Sequence, residues 1–228
     1  MATLRHVVLM GPQGAGKGTQ AALIAPALDL VHLATGDLLR SMMGQHSSLA
    51  GEVRDYYDRG ELVPDDLMAR MLFAALDEAA LEHQPVGALL DGFPRNRVQA
   101  EVLDTQIAQR GEALAAIVHI SVPREVLLAR LSGRLICRNC GRSYHSRFNP
   151  PAQPGVCDAC GGELYQRSDD TEDAVARRLA IYFEQTEPLL DFWRPRGIVL
   201  EIDGDRSVVP VSESILVALH DVLDAGRS

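Results

Sequence analysis

Residues 11–19 read Gly11-Pro12-Gln13-Gly14-Ala15-Gly16-Lys17-Gly18-Thr19 and follow a short apolar run at 6–10. Glycines before a lysine let backbone N–H groups converge without Cβ clashes. A helix opening at the lysine adds the partial positive charge of its N-terminus, and the lysine can reach β- and γ-phosphates. The chemistry predicted is the cradling of a polyphosphate by Gly14, Ala15, Gly16, Lys17, Gly18 and Thr19. The general P-loop pattern puts Ser or Thr directly after the lysine. Gly18 stands there instead, with Thr19 one step on, which puts a direct hydroxyl ligand to Mg²⁺ in question.

Two further segments carry groups suited to anions and metals. In Leu89-Leu90-Asp91-Gly92-Phe93-Pro94-Arg95 the acidic residue ends an apolar run. A carboxylate at the C-terminal end of a buried strand beside the P-loop strand occupies the Walker-B position, and Arg95 is expected to face the cleft. In Thr35-Gly36-Asp37-Leu-Leu-Arg40, Thr35 suits a helix N-cap and Arg40 follows on the same helix, ready for an anion.

The four cysteines form two knuckles, Cys137-Arg-Asn-Cys140 and Cys157-Asp-Ala-Cys160, each followed by glycine. This is zinc-ribbon spacing. Four thiolates at ~2.3 Å close the shell of a tetrahedral Zn²⁺, so the ion would be structural, with no open position for chemistry. Two disulfides are the alternative, and a chain that shows no export signal argues against them. His145 is a further possible ligand, but four thiols already fill the shell.

These groups need a scaffold. Apolar, β-rich runs recur at 6–10, 31–34, 88–90, 116–122 and 198–202, alternating with helical patterns at 64–81, 97–110, 124–131, 171–192 and 212–223. Such alternation predicts an α/β fold with a parallel sheet covered on both faces. The residues around 134–170, which hold both knuckles, and those around 35–66 read as excursions from that sheet; the former is too small to hold a core without its metal. With 228 residues there is room for one domain plus insertions. A net charge of −9 argues against a nucleic-acid binder. No apolar run approaches the ~20 residues of a membrane helix. The first strand begins too early for a signal peptide, so a cytoplasmic location is expected. Phe192 and Trp193, at an expected helix end, read as packing.

The P-loop with its Gly-Lys-Gly-Thr ending, Thr35-Gly36-Asp37 with Arg40, Asp91-Gly-Phe-Pro-Arg95, Arg130 with Arg134, and Arg167-Ser-Asp-Asp together resemble adenylate kinase, in the long form with a zinc-bearing lid. The resemblance spans nearly the whole chain. It implies a P-loop, doubly wound, five-stranded parallel sheet with helices on both faces. The core would comprise 1–34, 67–133 and 171–228, with a helical AMP-binding insertion at 35–66 and a zinc lid at 134–170. It implies reversible phosphoryl transfer, ATP + AMP = 2 ADP, with Mg²⁺ and a structural Zn²⁺. Lys17 and the loop amides would hold ATP. Thr35, Arg40, Leu62, Val63, Gly92, Arg95 and Gln99 would hold AMP. Arg130, Arg134, Arg167 and Arg178 would reach ATP or the transferring group, the last two also bearing on AMP, and Asp91 would orient Mg²⁺ through water.

The resemblance leaves two rivals. Asn96 after Arg95 is found in UMP/CMP kinases, whereas Thr35 and the full lid favour AMP. A nucleotide-gated zinc-ribbon module binding nucleic acid fits the ribbon and P-loop alone, but neither the charge nor the Asp91–Arg95 segment. ATP, AMP and ADP are the expected partners, with no nucleic acid and no membrane, and the protein is expected to be a monomer.

Overall fold

The five apolar runs become five parallel strands in the computed structural model, whose described residues are 4–43, 53, 56, 63–83, 86–166 and 172–224. The order along the chain is β1 (Arg5–Met10), α1 (Lys17–Ala27), β2 (Leu30–Ala34), α2 (Thr35–Met43), α3 (Asp65–His83), β3 (Gly87–Asp91), α4 (Arg97–Gln109), β4 (Ala113–Ser121) and α5 (Arg124–Ser132). Three short strands come next, β5 (Arg134–Cys137), β6 (Ser143–His145) and β7 (Leu164–Tyr165). Then come α6 (Glu172–Ile181), α7 (Leu190–Trp193), β8 (Val199–Asp203) and α8 (Val208–Asp224).

The main sheet has the order β2-β3-β1-β4-β8. Side chains alternate across a strand, and β1 divides the core accordingly. Val7 and Leu9 pack with Ile24 of α1, Leu127 of α5, Leu179 of α6 and Ile215 of α8. Val8 and Met10 pack on the other face with Leu39 of α2, Leu72 of α3, Leu103 of α4 and Trp193 of α7. Burial on both faces is why β1, β3 and β4 read as largely apolar runs, while the edge strands β2 and β8 are only partly buried. From β1 the chain leaves over one face, through α1, to reach β2; from β3 it crosses back over the other face, through α4, to reach β4. The connections therefore part between β1 and β3, where Leu9 pairs with Asp91. Ligands of open α/β sheets bind in such a crevice, at the carboxyl ends of the strands.

The second sheet, β6-β5-β7, is antiparallel. Its apolar cluster is Cys137, Tyr144, Cys157 and Leu164, with Leu135 against it. That is far too little burial to stabilise a unit of this size alone.

One helical expectation fails. The pattern at 171–192 is not a single helix: α6 ends at Ile181, a π turn covers Tyr182–Thr186, and a 3₁₀ turn covers Glu187–Leu189 before α7. Pro188 is the cause. It has no N–H to give to the carbonyl of residue 184, and its ring would clash there. The ladder widens ahead of it, with the Glu187 N–H reaching back five residues to the Tyr182 carbonyl. By contrast, Pro210 sits within the first turn of α8, where a missing N–H costs nothing. The helix expected at 212–223 accordingly starts earlier, at Val208. Trp193 is fully buried, as a packing residue should be. No helix among the described residues is long and apolar enough to cross a membrane.

Candidate phosphate site and four-cysteine centre

The glycine loop joins β1 to α1. Gly16 precedes α1 with φ 92°, a left-handed conformation costly for other residues. From α1, the Lys17 Nζ turns back and donates to the carbonyls of Gly11 at 2.8 Å and Pro12 at 3.1 Å. Burial lowers the Lys17 pKa, and the nearby Asp91 carboxylate works against that fall. Arg95 and Arg134 add to the lowering, so both lie close enough to press their charge on the lysine.

Asp91 ends β3, directly across from the loop. Desolvation alone would raise its pKa; His32 on β2, then Lys17 and Arg95, outweigh it and hold the carboxyl below its ordinary value. His32 Nε2 lies 3.8 Å from the Asp91 carboxylate. A Cβ at position 18 would sit 3.9 Å from Asp91 Oδ2. A side chain at position 18 would therefore stand in contact with the carboxylate, and glycine leaves that contact unmade. Sequence reading missed His32, because a lone histidine on a strand has no spacing partner to announce it.

Thr35 is the first residue of α2, not the residue before it, and its buried hydroxyl donates to the Asp91 carbonyl at 3.3 Å. The expected capping role is thus replaced by a tie between the ends of β2 and β3. Gly92 (φ 86°) lets the chain turn there, and a Cβ on it would meet Thr35 Oγ1 at 2.6 Å. Arg40, one turn further along α2, is paired with Asp37 over the face of Gly36.

Arg95 is exposed, and its Nε donates to the Gly92 carbonyl at 2.8 Å. Its backbone is gripped twice. The Arg95 N–H donates to Gln99 Oε1 at 2.8 Å, and the Arg95 carbonyl accepts from Thr186 Oγ1 at 2.6 Å. Gln99, expected at a base, is buried and also donates through Nε2 to Asp65 Oδ1 at 2.8 Å. Asn96 caps α4 by accepting from the Gln99 N–H at 2.9 Å, and its Nδ2 donates to the same Asp65 oxygen at 2.9 Å. The sequence showed no signal for Thr186 or Asp65, which reach the loop from distant segments.

On the opposite side, Arg130 in the last turn of α5 donates to the Gly204 carbonyl at 3.0 Å and lies 3.7 Å from the Asp205 carboxylate. Arg134 opens β5, and Arg178 sits half-buried in the last turn of α6. Val63 is buried in the core cluster on the α3 side. Leu62 and Arg167 lie outside the described residues. The structure thus gathers Lys17, Asp91, Arg95 and Arg134 into one electrostatic neighbourhood. Such a cluster can bind a polyphosphate and spread charge from a transferring phosphoryl group.

The four cysteine sulfurs all lie within 4.8 Å of one another. None is in a disulfide: Cys137–Cys160 are 3.4 Å apart and Cys140–Cys157 3.6 Å. Tetrahedral coordination at ~2.3 Å requires S–S edges of about 3.8 Å, so the donor set fits a metal ion. Both knuckles close alike, with the Gly141 N–H on the Cys137 carbonyl (3.1 Å) and the Gly161 N–H on the Cys157 carbonyl (2.8 Å). The Tyr144 hydroxyl, 3.4 Å from Cys157 Sγ, leads the groups that lower the Cys157 pKa to about 6. His145 is turned elsewhere. Its Nδ1 accepts from the N–H groups of Arg147 and Phe148, leaving Nε2–H to donate to the Ala129 carbonyl of α5 at 3.2 Å.

A sequence model described as adenylate kinase matches residues 9–198. The chain is 47% identical over 215 residues to an adenylate kinase of Symbiobacterium thermophilum, covering 94% of this chain and 98% of that one. It is 44% identical to one from Desulforamulus reducens and 46% to one from Carboxydothermus hydrogenoformans, in each case over 214 residues, 94% of this chain and 99% of the relative.

Proposed function

The chain belongs to the adenylate kinase family, and on that premise we propose that it transfers the γ-phosphoryl group of ATP reversibly to AMP, giving two ADP. The observation that carries this reading is that Lys17 and Asp91 feel each other's charge across the β1–β3 crevice, with Arg95 acting on both and Arg134 on the lysine. Phosphoryl transfer needs little covalent help. It needs two anions held in line and cations where charge spreads in the transition state.

In this reading the N–H groups of Gly14 to Thr19 and the Lys17 ammonium grip the phosphates of ATP. Arg40 and Arg95 grip the phosphate of AMP, beside Thr35 and Gly92. Gln99 and the backbone of Leu62 and Val63 take its adenine. Arg130, Arg134, Arg167 and Arg178 close from the lid side, where planar guanidiniums can bind phosphate oxygens in pairs. Asp91 would hold Mg²⁺ through water; the ion, when bound, neutralises phosphate charge. Cys137, Cys140, Cys157 and Cys160 would hold Zn²⁺, which stiffens a lid with almost no core of its own.

The body that binds ATP would be 1–34, 67–133 and 171–228, with 35–66 closing over AMP and 134–170 over ATP. We read the protein as a cytoplasmic monomer with no nucleic-acid or membrane partner, in keeping with its net charge of −9. Asn96 does not require a pyrimidine substrate, since both ends of its amide serve the fold, on Gln99 and on Asp65. An acceptor panel tests the assignment: ATP with AMP, CMP, UMP or GMP, read as ADP formed. AMP is expected to be the preferred acceptor. Preference for CMP or UMP overturns the assignment, and salt-sensitive RNA binding without AMP-dependent turnover replaces it with a nucleic-acid module.

A further inference from the structure

We propose that Thr186 is a positioning residue for Arg95, acting through the π turn that ends α6. This rests on the reading that Arg95 holds the acceptor phosphate. An arginine on a loop grips a phosphate well only if its backbone is fixed, because small rotations at the Cα are magnified at the guanidinium. The Arg95 N–H is held by Gln99 Oε1 at 2.8 Å, one turn into the same segment's own helix. The carbonyl is held from across the molecule by the Thr186 hydroxyl at 2.6 Å. The side chain is steered by a third bond, Nε to the Gly92 carbonyl at 2.8 Å.

Thr186 is 7% exposed. A hydroxyl so enclosed is costly unless bonded, and its donation to Arg95 satisfies it. The local backbone is arranged for this contact. A π turn inserts about one extra residue into a helix and rotates the residues beyond it by roughly 100°. With the Glu187 N–H reaching the Tyr182 carbonyl, Thr186 is turned toward the Arg95 loop, and Pro188 prevents relaxation to a regular ladder. The same helical segment carries Arg178 in the last turn of α6. The α6 helix and the π turn that directly follows it therefore bear a lid-side cation and clamp the loop of an acceptor-side cation.

The test compares wild type with Thr186→Val, which keeps the shape and removes the donor, and Thr186→Ser, which keeps the donor. The readouts are KM for AMP, KM for ATP and kcat, with melting temperature and AMP binding by calorimetry. A net hydrogen bond is worth about 0.5–1.5 kcal/mol, so Thr186→Val is expected to raise KM and Kd for AMP about two- to tenfold. KM for ATP should hold within about twofold, and Thr186→Ser should restore the AMP values. Thr186→Val with unchanged AMP constants overturns the proposal. So does a variant in which both KM values and the melting temperature move together without rescue by serine, for that marks a purely structural threonine. If wild type itself makes no ADP from ATP and AMP, the reading of the site fails first and takes this inference with it.

Discussion

In the proposed reading the chemistry turns on Lys17, and its surroundings say how to test that. Its ammonium sits on two loop carbonyls and feels the Asp91 carboxylate. Methionine preserves the stem and removes the charge. Losing one preorganised electrostatic contact to a transition state costs about 10²–10³ in rate, so Lys17→Met should lower kcat by that factor while the melting temperature shifts by only a few degrees. Comparable losses of rate and of folded protein would instead make Lys17 a structural residue. Part of the candidate site is legible at this scale. Glycine spacing, the lysine and a strand-end aspartate each announce themselves through sequence-local chemistry. Gln99, expected at a base, has both ends of its amide on protein partners, which leaves one N–H and one Oε1 lone pair to offer a ligand. His32, Asp65 and Thr186 left no trace in the sequence, because each acts through a partner dozens of residues away.

At the scale of elements, the β6-β5-β7 sheet has little to hold it without a metal. Its apolar cluster is four side chains, two of them cysteines. Chelation, or Cys137→Ser, should therefore lower the thermal midpoint more than the rate at 25 °C. In a chain of this size each kcal/mol lost is worth about 2–4 °C, and a fall of about 5–10 °C with most of the activity retained is expected. Superimposable melting curves with and without metal contradict this role. The central strands β1, β3 and β4 are legible because burial on both faces makes them largely apolar, whereas the edge strands β2 and β8 stay partly exposed and carry His32 and Glu201. The gathering of the four cysteines is legible because each C-x-x-C turn brings two thiols to one point. The break in the helix after α6 was not read, although Pro188 marked it. Leu179, Tyr182, Leu189 and Trp193 are all buried, so hydrophobic spacing runs on across a change of ladder that it does not encode.

For the molecule as a whole, stability should fall on mild acidification, and His6 supplies one identifiable cause. It is fully buried at the far end of the sheet from the site. Its Nδ1 accepts from the Ala88 N–H at 3.2 Å, so the neutral ring carries its proton on Nε2 and donates to Glu112 at 2.9 Å. Burial lowers the His6 pKa below its ordinary 6.5, Glu112 offsetting only part of the fall. The unfolded chain thus takes up a proton near pH 6.5 that the folded chain refuses, and stability declines from there down to the folded pKa. Urea midpoints at pH 7.5 and 5.5 should differ more in wild type than in His6→Gln; equal differences remove His6 from the account. The larger claim is that two nucleotides meet end to end over the β1–β3 crevice and exchange a phosphoryl group. Phosphorus NMR of the protein with ADP and Mg²⁺ as the only nucleotide and metal supplied tests it most directly. ATP and AMP should appear together in equal amounts until the three nucleotides reach equilibrium. Accumulation of inorganic phosphate without ATP, or an unchanged ADP spectrum, contradicts it.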